Sequence, residues 1–184
     1  MPTLVTNYNP TLAGSVDSRT ADSLVWPFTA KPQAMSLYIK MQERGTIHTA
    51  SGFVVWIGTT AVTAPFLCIQ AASGFYRGVY DTDFVTARTS TLAAAPVIGQ
   101  MVELLLTLTA AGVVQLQQSI AGAAVTAAAA ATAATLPPAW SAQRLSLGGV
   151  STVSSGALAV LNLTVERGVQ DMATMRRLAG TATR

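Results

Sequence analysis

The residues that could catalyse a reaction or bind a metal ion are few in this sequence. His48 is the only histidine and Cys68 is the only cysteine, whereas a structural zinc site takes several ligands of these two types. We therefore interpret His48 as a polar residue of a turn or a strand end. Cys68 lies in the apolar run 66–69, which predicts a buried, unreactive thiol, and a single cysteine forms no disulfide within the chain.

The carboxylates offer one close pair, Asp81 and Asp83. On a strand, residues two apart project from one face, as a calcium site or a glycosidase pair requires. The segment lacks the further acids and the glycine of a calcium loop, so the preferred interpretation is a solvated turn. Glu43, Glu103 and Glu166 are each isolated in the sequence. Nucleotide-binding and nucleophile-elbow motifs are also missing, and we expect no enzymatic activity, no catalytic residue, no cofactor and no metal.

Several aromatic side chains could form a platform for sugar rings, namely Trp26, Trp56, Trp140 and the four tyrosines. Aromatic residues at strand positions more often fill a core, and this is the interpretation that we prefer. The longest basic run is Arg176-Arg177, in a chain of net charge +3. The sequence therefore has no stripe of positive charge that would bind nucleic acid.

Length and composition restrict the class of protein. The chain has 184 residues, of which 51% are hydrophobic and 10% are charged. This length predicts one domain with one core, and the composition excludes a disordered chain, which needs low hydrophobicity and high net charge. The segment 120–139 is mostly Ala and Thr and includes two prolines, so we predict no membrane span. No basic residue precedes Arg19, and we expect synthesis in the cytosol.

Alternating or continuous apolar patterns predict eight short strands. Turn residues at 43–46 predict that the first strand returns as a hairpin. The strongest pattern places Val102, Leu104, Leu106 and Leu108 on the inner face of a strand that returns as a second hairpin, with Thr107 on its open face. The predicted strands are 35–42, 53–57, 66–70, 75–81, 101–109, 113–120, 145–147 and 157–165.

Two further segments, 123–136 and 170–179, have sequences that could form a helix. Residues 123–136 are rich in Ala, which favours a helix, but they lack an amphipathic pattern and lie between strands, so an extended segment is predicted and a helix is the alternative. One helix is predicted at 170–179, capped by Asp171 or its neighbour Gln170. Arg176-Arg177 is expected in its last turn and Gly180 just beyond it.

Residues 1–25 are interrupted by Asn, Pro, Gly, Asp and Ser residues and show no sustained period, which predicts an extended arm before a body at 26–184. Ordering such an arm costs about 1–2 kcal/mol per residue, which only a partner that buries its apolar side chains can offset. We therefore predict that the arm binds neighbouring subunits. The predicted partner-binding residues are Leu4, Val5, Tyr8, Leu12 and Trp26.

The order of these segments resembles the concanavalin A-like or laminin-G-like jelly roll of tailed-bacteriophage virion proteins. The resemblance covers about Trp26 to Gly180 and implies an all-β, antiparallel jelly-roll β-sandwich. The segments that carry it are Ala34–Lys40, Gly45–Ile47, the hairpin Val102–Ile120, Leu145–Gly149 and a last helix with the sequence Met-Arg-Arg-Leu-Ala.

The resemblance also implies a function. It implies a non-enzymatic structural subunit of a virion, such as a capsid decoration, tail or fibre-associated protein, attached by its arm and a sheet surface. The expected partners are other virion proteins and further copies of the chain, with glycans as another class of ligand and neither nucleic acid nor membrane. The alternative is a carbohydrate-binding, lectin-like module used in adhesion.

Overall fold

The structure, a computed structural model, describes part of the chain. The described residues are 24–27, 34–43, 52–58, 66–72, 74–81, 87–92, 94, 97–132, 144–147 and 158–181.

Eleven strands and one helix lie within the described residues. All eight predicted strands are confirmed. The short strands β1 and β6 were not predicted, and β9 lies within the segment 123–136 that was predicted to be an extended loop or strand. The bounds are β1 (Leu24–Pro27), β2 (Met35–Glu43), β3 (Gly52–Gly58), β4 (Phe66–Ala72), β5 (Phe75–Asp81), β6 (Arg88–Thr91), β7 (Met101–Leu108), β8 (Val114–Ile120), β9 (Thr126–Ala127), β10 (Arg144–Leu147), β11 (Leu158–Arg167) and α1 (Met172–Thr181).

The strands form two antiparallel sheets packed face to face. Sheet A has the strand order β1-β10-β3-β4-β5-β6, and sheet B has the order β11-β2-β7-β8-β9. Strands β3 to β6 and strands β7 to β9 each pair with the next strand in the chain. In contrast, β2, β10 and β11 pair with strands that are distant in sequence, so the sandwich closes only when the two ends of the chain meet.

The hairpin predicted after β2 is wrong. β2 lies in sheet B between β11 and β7, whereas β3 lies in sheet A. A turn signal shows where the chain can reverse, but it does not show which sheet the next strand joins. Both strands have an apolar inner face, so they pack across the core rather than side by side. The second predicted hairpin, β7 with β8, is confirmed, with Leu106 opposite Leu116.

The main core lies between the two sheets. The four inner residues predicted on β7 are fully buried, and Tyr76 and Tyr80 of β5 join the same cluster. Each fully buried side chain of this size contributes about 1.5–3 kcal/mol relative to its exposed state. The period-2 pattern of β7 therefore identified the correct inner face.

Helix α1 covers the outer face of sheet B. Met172 and Met175 pack on Tyr38 of β2 and on Leu105 of β7, and Leu105 is fully buried. The outer face predicted to be open is therefore closed at this point, and Thr107 on the same face is also buried. The strand patterns did not predict that a helix covers this face, because each pattern depends only on residues that are near in sequence.

The helix begins where the sequence predicts and ends later. Asp171 accepts a hydrogen bond from the Thr174 backbone N–H at 2.6 Å, which makes it the N-cap. The helix continues to Thr181, so Gly180 lies within it and Arg176-Arg177 lies in its middle rather than in its last turn. No helix among the described residues is long and apolar enough to cross a membrane.

The Ala-rich segment is extended, as predicted, over its described part. β9 pairs with β8. Beyond β9, the Ala128 and Ala131 backbone N–H groups donate to Leu116 O and Val114 O, each at 2.9 Å. The backbone thus extends sheet B along β8 without needing large side chains.

Gly78 lies where the two sheets approach each other closely. It lies in β5, and a Cβ atom added there would overlap Leu106 Cδ1 and would lie 3.4 Å from Leu116 Cβ. We expect Gly78→Ala to lower the free energy of unfolding by about 1–3 kcal/mol, because the packed core has to shift. Chemical denaturation measures this, and adding Leu106→Ala is expected to relieve part of the cost.

The same substitution elsewhere provides the control. An added Cβ at Gly180 would meet nothing within 4 Å. Since alanine favours a helix over glycine by up to about 1 kcal/mol, Gly180→Ala is expected to be neutral or stabilising. Equal effects of the two substitutions would show that the predicted contact at Gly78 is wrong.

Candidate functional site

Most of the predicted partner-binding residues lie outside the described part of the chain. Leu4, Val5, Tyr8 and Leu12 are among them, so their role stays a prediction. The predicted arm ends within β1, whose first two residues, Leu24 and Val25, pair with β10. The backbone of Trp26 lies in β1 opposite Leu145.

The residues considered for catalysis or metal binding are not brought together in the described part. His48 and Asp83 lie outside it. Asp81 is buried in β5 opposite Phe66, so the predicted solvated turn is wrong at this residue. Across the described residues, no three His, Cys, Asp or Glu side chains lie close enough to hold one metal ion.

Glu103 instead belongs to a group of charged and polar side chains between sheet B and α1. The group comprises Tyr38, Lys40, Glu103 and Arg176 and is called the Glu103 cluster below. The Tyr38 hydroxyl donates to Glu103 Oε1 at 2.8 Å, and Arg176 donates to Glu103 Oε2 through Nε at 2.9 Å and also through its Nη2. Lys40 Nζ lies 3.9 Å from Oε1. Both oxygens of the carboxylate are therefore occupied.

The cluster changes the proton affinity of its members. Burial alone would raise the pKa of Glu103, but hydrogen bonds from Arg176 and Tyr38 and the charges of Arg176 and Lys40 outweigh burial and lower it. Burial and the bond to Glu103 raise the pKa of Tyr38. Glu103 is therefore a charged anchor and is not a candidate for a proton donor at neutral pH.

The contribution of the Glu103 cluster is structural. It joins β2, β7 and α1, and Arg176 reaches from the helix to a carboxylate on the sheet. The sequence showed Glu103 as isolated, because its partners lie 65 and 73 residues away along the chain. The available signal was the alternation of Tyr38 and Lys40 on one face of a strand.

Ser36 forms a second connection between sheet B and the chain that enters α1. Its buried hydroxyl donates to Gly168 O at 2.9 Å and accepts from the Gln170 backbone N–H at 2.8 Å. Gly168 has a φ of +77°, a conformation that glycine adopts without strain. Ser36 therefore fixes the turn that directs the chain from β11 onto the outer face of sheet B.

The outer face of sheet A carries an apolar cluster of its own. Trp56 stacks on Phe66 with ring centroids 4.2 Å apart, and Phe53 meets Trp56 edge to face at 5.0 Å. Cys68 and Val79 complete the cluster, and all five side chains are buried. Burial raises the pKa of the Cys68 thiol well above its usual value. The predictions that Trp56 serves packing and that Cys68 is a buried thiol are both confirmed.

An exposed apolar turn precedes β7. Val97 and Ile98 each expose 62% of their surface. The turn is well defined, since the Gln100 backbone N–H donates to Val97 O at 3.1 Å and the Gln100 side chain accepts from the Val97 N–H at 2.9 Å. Gln42 of β2 also donates to Gly99 O. The turn thus presents two apolar side chains to solvent on an ordered backbone, a feature that the strand patterns did not predict.

Known proteins share the fold but not the sequence. No protein-family model and no curated protein matches the chain. Mouse laminin alpha1 domains LG4-5 match with a TM-score of 0.57, 11% identity and 88% of this chain covered. Tailspike protein 2 of the Escherichia coli O157:H7 bacteriophage CAB120 matches with a TM-score of 0.59, 14% identity and 84% covered. A botulinum neurotoxin type C structure, described by its interaction with two ganglioside molecules, matches with a TM-score of 0.58, 7% identity and 83% covered.

These matches confirm the predicted fold, an antiparallel jelly-roll β-sandwich of the laminin-G-like and concanavalin A-like kind. This chain spans 45% of the laminin chain, 36% of the neurotoxin chain and 22% of the tailspike chain. Another matching structure is described as the binding domain of botulinum neurotoxin serotype C1, with a TM-score of 0.57 and 8% identity. The comparison therefore shows the fold alone, and the function of this chain has to be argued from its own residues.

The Glu103 cluster predicts different effects for two adjacent arginines. Arg176 binds Glu103, whereas the Arg177 side chain bonds to Thr174 on the same helix. Because Arg176 is 39% exposed, solvent weakens its ion pair, and we expect Arg176→Ala to cost about 1 kcal/mol. Arg177→Ala is expected to change stability by less than about 0.5 kcal/mol. Urea denaturation of both variants checks this, and equal effects would contradict it.

The Glu103 cluster also predicts a dependence of stability on pH. The pKa of Glu103 is lower in the folded chain than its ordinary value of 4.5, so the cluster stabilises the fold fully above that value and loses its contribution as the pH falls through the folded pKa. The difference in unfolding free energy between wild type and Glu103→Gln should therefore shrink as the pH is lowered from neutral to well below 4.5. The N-cap Asp171 titrates in both proteins, so its contribution cancels in this difference. A difference that stays constant with pH would show that Glu103 is not a charged anchor.

Proposed function

We propose that this chain is a non-enzymatic structural subunit of a tailed-bacteriophage particle, attached to its neighbours by residues 1–25 and by the surface of a sheet. The observation that carries the proposal is that the reactive side chains of the described body serve the fold. Glu103 holds α1, Asp171 caps it and Cys68 is buried. Exposed apolar side chains such as Val97 and Ile98 remain for interaction, which suits binding to other proteins.

The phage setting is supported by fold similarity. The tailspike protein of bacteriophage CAB120 shares the sandwich at 14% identity. The composition supports the same setting, because only 10% of the residues are charged, against about 25% in an average soluble domain. A surface with so few charges is suited to being covered by other subunits. In this proposal the protein resides in the virion after synthesis in the host cytoplasm.

A carbohydrate-binding, lectin-like module is the second candidate. The structure of botulinum neurotoxin type C, described by its interaction with two gangliosides, has a similar fold. Against this candidate, six of the seven described aromatic side chains are buried, and only Phe75 is partly open. Sugar rings bind exposed aromatic faces, so the described surface provides little of what such a site needs.

Deleting residues 1–22 tests the structural proposal. The main core is built between Met35 and Val165, so we expect thermal unfolding of the shortened chain to change little. Incorporation into the phage particle is expected to be lost, as measured by co-sedimentation with the assembled particle. The control retains the length of the arm but replaces Leu4, Val5, Tyr8 and Leu12 by Ser, and it should also fail to incorporate.

Two outcomes would contradict the proposal. One is incorporation of the shortened chain at the wild-type level, and the other is a collapse of its melting temperature, which would make the arm part of the fold. A glycan array with a calcium titration tests the second candidate. Saturable binding of a defined glycan would favour the lectin-like module over a purely structural role.

A further inference from the structure

The ends of the two sheets differ greatly in length. Sheet A ends in β1 and β6, of four residues each, and sheet B ends in β9, of two residues, and in β11, of ten residues. Natural proteins keep edge strands short or protect them, because an open edge carries unpaired backbone N–H and C=O groups that can pair with another chain. Among the described strands, β11 is the one long edge.

β11 is only partly protected. Leu158–Val165 contains no charged residue, proline or glycine, the residues that commonly block edge pairing, whereas Glu166 and Arg167 at the end of the strand are charged. Helix α1 touches the strand at Asn162, whose side chain donates to Ala179 O. One bulge lies at Leu161, where the pairing with β2 shifts, and this side chain is 53% exposed. After the bulge, Asn162–Arg167 pairs regularly with β2. Six residues in succession therefore present a regular outer edge, and no other described strand pairs with it.

The hydrogen-bond pattern shows which backbone groups face outward. The Gly168 N–H donates to Ala34 O of the segment that leads into β2, at 2.9 Å. In an antiparallel pair such bonding positions alternate, so Thr164 and Glu166 also face β2. The backbone N–H and C=O groups of Leu163 and Val165 therefore point away from the sheet.

The two sheets place the beginning of the described chain on the same side as this edge. Ser90 of β6 donates to Ala129 O at 2.7 Å and accepts from the Leu116 N–H of β8 at 3.0 Å, so the β6 edge of sheet A lies over the β8–β9 side of sheet B. The opposite edges, β1 and β11, are consequently on the other side of the sandwich. Packed sheets lie about 10 Å apart.

We propose, building on the proposed function, that the segment Thr3–Asn9 of a neighbouring copy pairs with the outer edge of β11. This segment lies between Pro2 and Pro10 and alternates Leu4, Thr6 and Tyr8 with Val5, Asn7 and Asn9, and no residue before Asp17 is charged. Its seven residues match the six regular residues of the edge. Backbone pairing supplies the affinity, and alternate side chains supply the fit.

The intervening chain is long enough for the segment to reach a neighbouring copy, which is the partner that the proposed attachment role requires. Residues 10–23 connect the segment to β1 and can extend to about 46 Å. This is several times the distance of about 10 Å between the two sheets. Because every copy would both donate a segment and accept one, reciprocal exchange between two copies would form a symmetric dimer.

Hydrogen exchange measured by NMR on the full chain tests this directly. At high protein concentration we expect the amides of Leu163 and Val165 to exchange at least about tenfold more slowly than in a chain that lacks residues 1–22. The amides of Thr164 and Glu166, which face β2, should be equally protected in both chains. Dilution should remove the protection of Leu163 and Val165 together with the oligomer seen by light scattering.

Matched substitutions complete the experiment. Leu161→Lys places a charge at the exposed edge and should yield a monomer, whereas Val169→Lys, at a residue that is 54% exposed but lies outside β11, should assemble like wild type. Protection that persists in a monomer would mean pairing within one copy and would overturn the proposal. Rapid exchange of Leu163 and Val165 at every concentration would also overturn it.

The outcomes separate this inference from the proposed function. If Leu161→Lys assembles and enters the particle like wild type while the deletion of residues 1–22 does not, the arm binds elsewhere. The proposed function then stands and the β11 inference fails. If the deleted chain also enters the particle normally, both fail.

Discussion

A carboxylate held between a sheet and a helix organises the C-terminal part of this protein. Glu103 is only 13% exposed, and such a group is costly to bury unless donors surround it. Tyr38 and Arg176 supply those donors from two other elements. Their geometry sets the position of α1 along sheet B. Helix α1 in turn buries Leu105, which would otherwise lie on an open sheet face.

Other polar side chains of the described body are also used to hold the fold together. Polar side chains that could have formed a reactive site are bonded within the fold, as Ser36 and Asp171 are. The described surface includes backbone edges and isolated apolar positions such as Ile98. Such a surface is suited to contacts with other protein chains, and the jelly-roll sandwich is a scaffold on which many kinds of contact have been built.

Local patterns predicted much of the fold. The alternation in β7 identified the inner face and, with Gly112, the hairpin to β8, because both signals depend only on neighbouring residues. Asp171 was among the predicted caps for the same reason. The partner strands of β2 were not predicted, since pairing with β11 depends on residues more than a hundred positions away. The Glu103 cluster was missed on the same ground, and the predicted residues of the arm lie outside the described structure.

The position of β2 also has a consequence for synthesis. β2 is the first strand of sheet B to be made, yet one of its two neighbours, β11, begins more than a hundred residues later. At about 5–20 residues per second, the ribosome takes on the order of ten seconds to supply it. During that interval the apolar side chains of β2 lack half of their sheet. The nascent chain therefore carries an apolar strand with one unpaired edge until the last residues of the body are made.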